Sequence, residues 1–333
     1  MKRYSSSPVL LFPIVSLLLI PLQLSAQPKR TSPAKKPQPP ATTVLFDSGN
    51  SALRIPLEID NKIILMRVSV NGSTPLRFIF DSGASASAIS SKRASELGLK
   101  TKGKFQGDAT GGKIEASSVE GVELTVQGAK VSNQTIAVIP LPPPPGFEFD
   151  GIIGYDFIKQ FVVEIDYLQK VMNLYNPLSY HYCGAGASIP VVLVGKIPLT
   201  NLEILVEGRT PITARLEVDT GGDNTFLLNS PFVKKQRLVD AVQNTTQDTR
   251  RGAGGEQEVI TGRVKTVRLG PFVFNNPPIM LSLDTKGAGA SKENDGLIGG
   301  EIFRRFKVIL DYSRKRMILE RNSSFNDRFN VAG

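Results

Sequence analysis

The sequence has very few of the side chains that most hydrolases use to bind metals or to attack substrates. Its 333 residues include one cysteine, one histidine and no tryptophan. A single cysteine excludes an internal disulfide and a cysteine-based zinc cluster, and a single histidine excludes a multi-histidine metal site. Any Ser-His-Asp triad would depend on His181 alone. We therefore expect chemistry based on carboxylates, hydroxyls, amines or the backbone, with no metal and no cofactor.

Acidic residues are absent from the start of the chain, and this places the charge unevenly. The formal net charge is +10, but no Asp or Glu occurs before Asp47. The basic residues of that first segment are Lys2, Arg3, Lys29, Arg30, Lys35 and Lys36. Much of the positive charge therefore lies outside the folded body, whereas nucleic-acid binding needs a concentrated basic face. We expect no nucleic-acid partner.

The N-terminus has the pattern of a secretory signal. Two basic residues precede an apolar run over 9–24, which contains two prolines and is followed by Ala26. The run is short for a membrane span, so we favour a cleaved signal peptide over 1–26 rather than an uncleaved anchor. The Pro- and Lys-rich residues 27–44 predict an extended linker. These features predict an exported protein, periplasmic or extracellular, without a stable membrane span after cleavage.

The body of the chain is an internal repeat. Residues 151–172 and 296–317 share the same spacing of Gly, Phe, Asp-Tyr, Lys and Met. Two further pairs of blocks follow the same order, namely 71–83 with 207–221 and 122–133 with 264–275. Such self-similarity predicts two copies of one unit. We place an N-terminal lobe at 45–178, a C-terminal lobe at 188–322 and a tail at 323–333.

Each unit is predicted to be mainly β. Leu76, Phe78 and Phe80 alternate with other residues in the period of a strand that runs directly into Asp81. The corresponding strand of the second copy runs into Asp219. Each carboxylate therefore lies at the end of a strand, on a turn made by Asp-Ser-Gly or Asp-Thr-Gly.

Two further features are expected in each unit. Ser91 is a suitable cap for a short helix over 92–97, and Ser230 is a suitable cap for a helix that begins at Pro231 and continues to about residue 241. The Gly-rich stretches 103–118 and 249–262 are expected to form hairpins that fold over a cleft.

The repeat suggests a chemistry for the two aspartates. A pseudo-twofold axis brings equivalent positions together, so an axis near the turns would make Asp81 face Asp219. Two carboxylates about 3 Å apart share one proton. One of them then acts as a base toward water while the other donates a proton to the carbonyl oxygen of a scissile amide.

The sequence resembles the aspartic peptidases, and in particular the retropepsin-like branch. Residues 81–85 and 219–225 match the Asp-Ser/Thr-Gly motif of that family, and 152–154 and 297–299 match its second signature, two apolar residues followed by Gly. The resemblance covers about residues 45–322. Viral members carry one unit per chain and dimerise, whereas this chain is similar to a fused pair. The resemblance implies two β-barrel lobes, each with a short helix, and a cleft between them.

The resemblance also implies an activity and the residues that carry it. Asp81 and Asp219 would be the catalytic dyad of an endopeptidase that cleaves peptide or protein substrates as a monomer with an internal pseudo-dimer. The remaining implied roles are hydrogen bonds across the lobes from Ser82 and Thr220, and backbone amides that reach the carboxylates at Gly83 and Gly221.

The chain departs from the family pattern beside the second motif. Position 222 is Gly where Ala, Ser or Thr is usual, and residues 300–301 are Gly-Glu where retroviral enzymes have Arg-Asn. The partner of Asp223 is therefore open. Neither hairpin carries the tyrosine of pepsin-type enzymes.

These residues also admit other interpretations. The same fold could bind peptides or a partner without cutting, and a pair of carboxylates could serve a glycosidase, in which the two groups stand at least about 5 Å apart. A nucleophile pair of His181 and Cys183 is disfavoured because residues two apart on a linker seldom face each other. The 219–224 segment lacks the spacing of an EF-hand calcium loop.

Overall fold

Strands dominate the chain and follow the sequence repeat. The computed structural model describes residues 17–18, 41–141 and 146–329. The predicted signal peptide and linker lie largely outside the described residues, as do the last four residues of the predicted tail. The prediction of a mainly β fold with two lobes and a cleft is confirmed. The exact lobe boundaries stay predictions.

The strands up to the seam belong to the first copy of the repeat and to the segment before it. Their bounds are β1 Leu17–Leu18, β2 Thr43–Phe46, β3 Ser51–Asp60, β4 Ile63–Val70, β5 Leu76–Phe80, β6 Ala88–Ser90, β7 Lys102–Ala109, β8 Gly112–Val126, β9 Ala129–Ile139, β10 Gly151–Ile153, β11 Val162–Asp166 and β12 Val171–Tyr175.

The remaining strands form the second copy. Their bounds are β13 Ala187–Pro190, β14 Val192–Val194, β15 Ile197–Leu205, β16 Ile212–Val218, β17 Phe226–Leu228, β18 Gln243–Gly252, β19 Gly255–Arg263, β20 Thr266–Leu269, β21 Phe272–Asn275, β22 Pro278–Ser282, β23 Gly296–Ile298, β24 Phe306–Asp311 and β25 Arg316–Arg321.

The two copies share one sheet at the base of the molecule. The first sheet runs in the order β1-β7-β8-β9-β6-β10-β5-β4-β3-β12-β11-β24-β25-β13, so three strands of the second copy extend it. The junction is the antiparallel pair β11 and β24, in which Ile165 lies opposite Val308. The second sheet runs β18-β19-β22-β17-β23-β16-β15-β20-β21. Because backbone hydrogen bonds join the copies, their relative placement is part of the fold.

The strand that precedes each motif aspartate occupies an equivalent place in its own lobe. Strand β5 pairs in parallel with β10, and β16 pairs in parallel with β23. In turn, β10 pairs with β6 and β23 pairs with β17 in antiparallel fashion. Both aspartate-bearing strands are therefore interior strands, and the carboxyl end of each is held by a neighbour on either side.

The helices are short and begin slightly earlier than predicted. Helix α1 spans Ser91–Glu96, and its cap is Ser90, whose hydroxyl accepts a hydrogen bond from the Arg93 amide at 3.2 Å. Helix α3 spans Ser230–Lys235, and its cap is Asn229. The expectation that this helix continues to residue 241 is wrong, because Arg237 adopts a left-handed backbone with φ of 50° and ends it.

Each lobe also has a second short helix that the sequence analysis did not predict. Helix α2 spans Tyr155–Ile158 and α4 spans Gly300–Phe303. Each follows the glycine of the second family signature, with Gly154 and Gly299 as the capping residues. Short 3₁₀ turns occur at Ala288–Ala290 and Tyr312–Arg314. The four α-helices of the described residues thus form two equivalent pairs.

The two Gly-rich stretches form hairpins, as predicted. Strands β7 and β8 make the first hairpin, and β18 and β19 make the second. Their tips meet, because the Gly254 amide donates to the Thr110 carbonyl oxygen at 2.8 Å. A Cβ at Gly111, which has φ of +85°, would overlap the Gly255 backbone. Glycine at the tips therefore permits the close contact between the hairpins.

The predicted tail packs onto the second lobe. Phe325 contacts the rings of Phe272, Phe274 and Phe306, with centroid distances between 5.4 and 5.9 Å. Arg305 is buried and donates to the carbonyl oxygens of residues 324, 325 and 327. Phe325 and Phe329 of the described tail therefore pack against the hydrophobic core.

Candidate active site

Asp81 and Asp219 lie at the ends of equivalent strands. The Asp81 amide donates to the Ile153 carbonyl at 3.0 Å, and the Asp219 amide donates to the Ile298 carbonyl at 3.0 Å. Both side chains are fully buried. The parallel neighbours β10 and β23 thus fix the point at which each chain leaves its strand and turns.

Four hydrogen bonds join the two turns across the lobes. The Ser82 amide donates to the Thr220 hydroxyl and the Thr220 amide donates to the Ser82 hydroxyl, each at 3.0 Å. The Ser82 hydroxyl donates to the Val218 carbonyl at 2.6 Å, and the Thr220 hydroxyl donates to the Phe80 carbonyl at 2.9 Å. These bonds are buried and symmetric, so the two turns form one rigid unit.

Backbone amides hold one oxygen of each carboxyl group. Each Oδ1 atom accepts two hydrogen bonds from the residues that follow in its own turn. The donors are Gly83 at 2.8 Å and Ala84 at 3.0 Å for Asp81, and Gly221 at 2.8 Å and Gly222 at 3.1 Å for Asp219. The amides fix the direction of both carboxyl groups.

The structure brings the two carboxyl groups together. Each carboxyl group lies against the motif glycine of the opposite turn, so the two groups face each other across the lobes. A Cβ at Gly221 would overlap the Asp81 carboxyl group, and a Cβ at Gly83 would lie 3.0 Å from Cγ of Asp219. Each glycine therefore makes room for the carboxyl group of the opposite lobe. Gly222, which departs from the family pattern, would place a Cβ 3.1 Å from Oδ2 of Asp219.

The pKa of Asp81 is raised well above the usual range of an aspartate. Burial is the largest cause, followed by the charge of Asp219 and then that of Glu217. The hydrogen bond from the Gly83 amide acts in the opposite direction. The pair therefore retains a proton at a pH at which exposed aspartates are ionised.

Glu217 is a third carboxylate beside the pair, and the sequence analysis missed it. Its side chain is 3% exposed. A Cβ at Gly83 would overlap Oε1 of Glu217, and the Asn294 amide donates to Oε2 at 3.4 Å. The repeat carried a signal for this residue, because Ile79 occupies the same place two residues before Asp81.

Two tyrosines lie close to the aspartate pair. Tyr167 and Tyr312 come from the repeated Asp-Tyr sequence and are buried. Burial raises the pKa of both phenols, and the charge of Asp219 adds to this for Tyr167 and that of Asp81 for Tyr312. Tyr312 stacks on Tyr155 at a centroid distance of 6.1 Å, which adds an apolar contact between the lobes.

The structure identifies the partners of Asp223. Arg250, on the second hairpin, donates to Oδ1 at 3.1 Å, and Asn61, in the turn between β3 and β4, donates to Oδ2 at 2.9 Å. Glu301, at the other departure from the family pattern, pairs with Arg305 at 2.7 Å and with Lys62 at 3.5 Å. Both carboxylates thus connect the second lobe to the turn of the first.

The other aspartates of the repeat have structural contacts. Asp150 and Asp295 accept hydrogen bonds from the amides of Arg77 and Arg215, which secures β5 and β16. Further along, Asp166 accepts from the Leu168 and Gln169 amides, and Asp311 accepts from the Arg314 amide. Each of these four aspartates therefore accepts backbone amides in a strand or a turn. His181 and Cys183 lie exposed at the seam, away from the pair.

The described residues contain neither a metal-binding cluster nor a helix able to span a membrane. No group of three or more His, Cys, Asp or Glu side chains is arranged there to hold a metal ion. Within the same residues, no helix has the length and apolar character needed to cross a membrane.

Comparison with known proteins assigns the repeat to one family. A family model described as aspartyl protease matches residues 66–157 and again 202–302. The two matched segments contain Asp81 and Asp219, and together they cover more than half of the chain. No curated protein matches the sequence.

Proposed function

Because the chain belongs to the aspartyl protease family, we propose that it is an endopeptidase whose catalytic pair is Asp81 and Asp219. One observation supports this proposal: two equivalent turns from two lobes bring two buried carboxyl groups together, each against the glycine of the opposite turn. A shared proton needs two carboxyl groups in contact, whereas a retaining glycosidase holds them about 5–5.5 Å apart. The geometry therefore favours peptide hydrolysis over glycoside hydrolysis.

The reaction would use one proton shared by the pair. The ionised carboxylate accepts a proton from a water molecule, whose oxygen attacks the carbonyl carbon of the scissile amide. The protonated carboxyl group donates its proton to the carbonyl oxygen, which gives a neutral tetrahedral diol. The carboxyl group that took the proton from water then donates it to the amide nitrogen, while the other carboxylate accepts a proton from one hydroxyl of the diol. The C–N bond breaks, and a carboxylic acid and an amine leave. The pair returns to its singly protonated state.

The surroundings of the pair suit this cycle. Burial and neighbouring negative charge raise the pKa of Asp81, which keeps one proton available. Backbone amides fix the orientation of both carboxyl groups, so no mobile side chain is needed to hold them. These amides belong to residues 83, 84, 221 and 222. The two hairpins, whose tips contact each other, would cover a peptide and exclude water.

The test is cleavage of a diverse peptide pool by purified residues 27–333 from pH 3 to 8, read by mass spectrometry. Wild type is compared with Asp81→Asn and Asp219→Asn. Asp240→Asn is the matched control, because Asp240 is exposed. We expect the same cuts in wild type and control, and a loss of about 10²- to 10⁴-fold in either dyad variant.

Other outcomes would overturn the proposal. Full activity in a dyad variant would refute the shared-proton mechanism. Peptide binding without cleavage at any pH, after the N-terminal segment is removed, would assign the cleft to a non-catalytic binding module.

We also propose that the protein is exported and acts as a monomer. The signal pattern over 1–26 supports export, and the presence of both aspartate turns in one chain supports a site that needs no second copy. N-terminal sequencing of the mature protein, together with light scattering of the purified chain, tests both points. An intact Met1 or a dimer would contradict them.

A further inference from the structure

We propose that Glu217 selects a basic side chain, lysine or arginine, next to the scissile bond, while the equivalent wall of the first lobe selects an apolar one. The inference rests on the proposed function, because it assigns the two sides of the same cleft. It predicts a protease that cuts between two chemically different residues.

Glu217 and Ile79 occupy the same place in the two copies. Glu217 lies two residues before Asp219 and pairs with Leu297 on β23. Ile79 lies two residues before Asp81 and pairs with Ile152 on β10. The two side chains are therefore related by the same pseudo-symmetry as the aspartates, one on each side of the pair.

The neighbours of Ile79 are apolar and those of Glu217 are polar, like the two residues themselves. Ile79 belongs to an apolar cluster that includes Phe149 and Ile114. Glu217 instead lies beside Asn294, whose amide donates to it at 3.4 Å. Phe149 and Asn294 also occupy equivalent positions in the repeat. Phe149 directly precedes Asp150, and Asn294 directly precedes Asp295, the aspartates that secure β5 and β16. Two apolar residues in one lobe are thus replaced by a carboxylate and an amide in the other.

The polar side forms a small cavity beneath the hairpins. Glu217, Asn229 and Asn294 line it together with Thr110, from the tip of the first hairpin. The Thr110 carbonyl oxygen accepts the hydrogen bond that joins the two tips. The cavity lies between the tip of the first hairpin and Glu217, and it has room for about one water molecule while the tips touch. A substrate side chain would therefore reach Glu217 as the tips separate.

A second acidic group lies behind this cavity. Gly289 also lines it, and a Cβ at Gly289 would overlap Oδ2 of Asp284. Gln257 donates to that oxygen at 2.7 Å, and its own Oε1 is buried and accepts no hydrogen bond from the described residues. Further oxygen acceptors therefore lie next to Gly289, although neither Asp284 nor Gln257 lines the cavity itself.

These groups discriminate between substrate side chains by charge. An ammonium or guanidinium group would pair with Glu217 and donate to the neighbouring oxygens. An apolar side chain would cover a carboxylate without compensating it, and an acidic side chain would be repelled. Because the cavity is buried, solvent screens these differences only weakly. We expect at least about tenfold discrimination in favour of lysine over norleucine.

The test separates binding from cleavage. Asp81→Asn is titrated at pH 7 with a series of peptides in which one lysine moves along an apolar background. Norleucine and glutamate replace the lysine in two matched series. We expect one position at which lysine binds at least about tenfold tighter than norleucine, with glutamate weaker than both. Adding Glu217→Gln should reduce the preference to within about twofold.

Glu203→Gln is the matched control, since it removes the same charge from an exposed site on β15. It should leave the preference unchanged. In wild type, the cuts in the peptide pool should have a basic residue on one side and an apolar residue on the other.

The outcomes distinguish the two proposals. Equal binding of the lysine, norleucine and glutamate series would overturn the selection by Glu217, whether or not wild type cleaves. The same holds if Glu217→Gln shifts the pH profile but keeps the preference. A lysine preference that depends on Glu217, without any cleavage by wild type, would leave the selection standing and refute the protease.

Discussion

Ser82 and Thr220 hold each other across the two lobes, with each backbone amide donating to the hydroxyl of the other residue at 3.0 Å. Each hydroxyl also donates to a carbonyl of the opposite strand. The aspartate turns are therefore not two independent features of two lobes. Their separation depends on a buried network that forms only when both lobes are folded and joined.

We predict that Ser82→Ala and Thr220→Ala lower both stability and activity. Each change removes a hydroxyl that donates one buried hydrogen bond and accepts another, which should cost about 1–3 kcal/mol in the free energy of unfolding. Misplacement of the pair should lower kcat/KM by about 10- to 100-fold. Urea unfolding and peptide cleavage measure the two effects. Thr220→Ser retains the hydroxyl and is the control; equal losses in Thr220→Ser and Thr220→Ala would contradict the role of the network.

We predict a stability change with pH that depends on Asp81. Its pKa is raised in the folded state, so folding is favoured most below the ordinary pKa of an aspartate, and this contribution is lost as pH rises through the folded-state pKa. Asp81→Asn cannot ionise and should lose less stability than wild type over that interval. Urea unfolding between pH 3 and 8 measures how the free energy of unfolding changes with pH in both proteins. The same pH dependence in wild type and Asp81→Asn would contradict the raised pKa.

Removal of the charge at Glu217 should shift the pH range of activity. Glu217 contributes to the raised pKa of Asp81, after burial and Asp219. Glu217→Gln should therefore lower the pKa at which the pair loses its shared proton, and the alkaline limb of kcat/KM should move to lower pH. A peptide with norleucine in place of lysine separates this effect from substrate charge. Glu203→Gln should leave the limb in place, and an unmoved limb in Glu217→Gln would count against the electrostatic account.

We predict that Arg305→Met destabilises the second lobe. Arg305 is 1% exposed, pairs with Glu301 at 2.7 Å and lies 4.0 Å from the centroid of the Phe329 ring. Removal of the guanidinium leaves the buried Glu301 carboxylate with less positive charge beside it and leaves the tail carbonyls without this donor. We expect a loss of about 3 kcal/mol in the free energy of unfolding. Arg304→Met, at a more exposed partner of Glu301, should cost about 1 kcal/mol or less. Equal losses, measured by urea unfolding, would contradict this difference.

The repeat and the positions of the aspartates were predictable from sequence because they depend on local patterns. Residues before Asp81 alternate as in a strand, and a Ser-Gly turn follows. This pattern indicates a carboxylate at the end of a strand, whatever place the strand takes in the sheet. The repeat then implies a symmetric partner. The hairpins were predictable for the same reason, since glycine clusters between strand-like runs are local signals.

Other features depend on contacts between distant segments, and no local pattern indicates them. Asp223 meets Asn61 from the other lobe and Arg250 from the second hairpin. The end of α3 depends on a left-handed Arg237, a conformation that sequence seldom reveals outside glycine and asparagine. Glu217 is the instructive case: comparison of the two copies shows a charge in place of Ile79, but only the fold shows that the charge is buried beside the pair.

The most direct measurement is kcat/KM of Asp81→Asn and Asp219→Asn on the best peptide from the pool, at the optimum pH of wild type. Both variants should fold, with unfolding transitions close to that of Asp240→Asn, and both should lose about 10²- to 10⁴-fold in kcat/KM. A folded variant of either aspartate that cleaves the peptide at the wild-type rate would contradict the claim that the two carboxyl groups act as one catalytic pair.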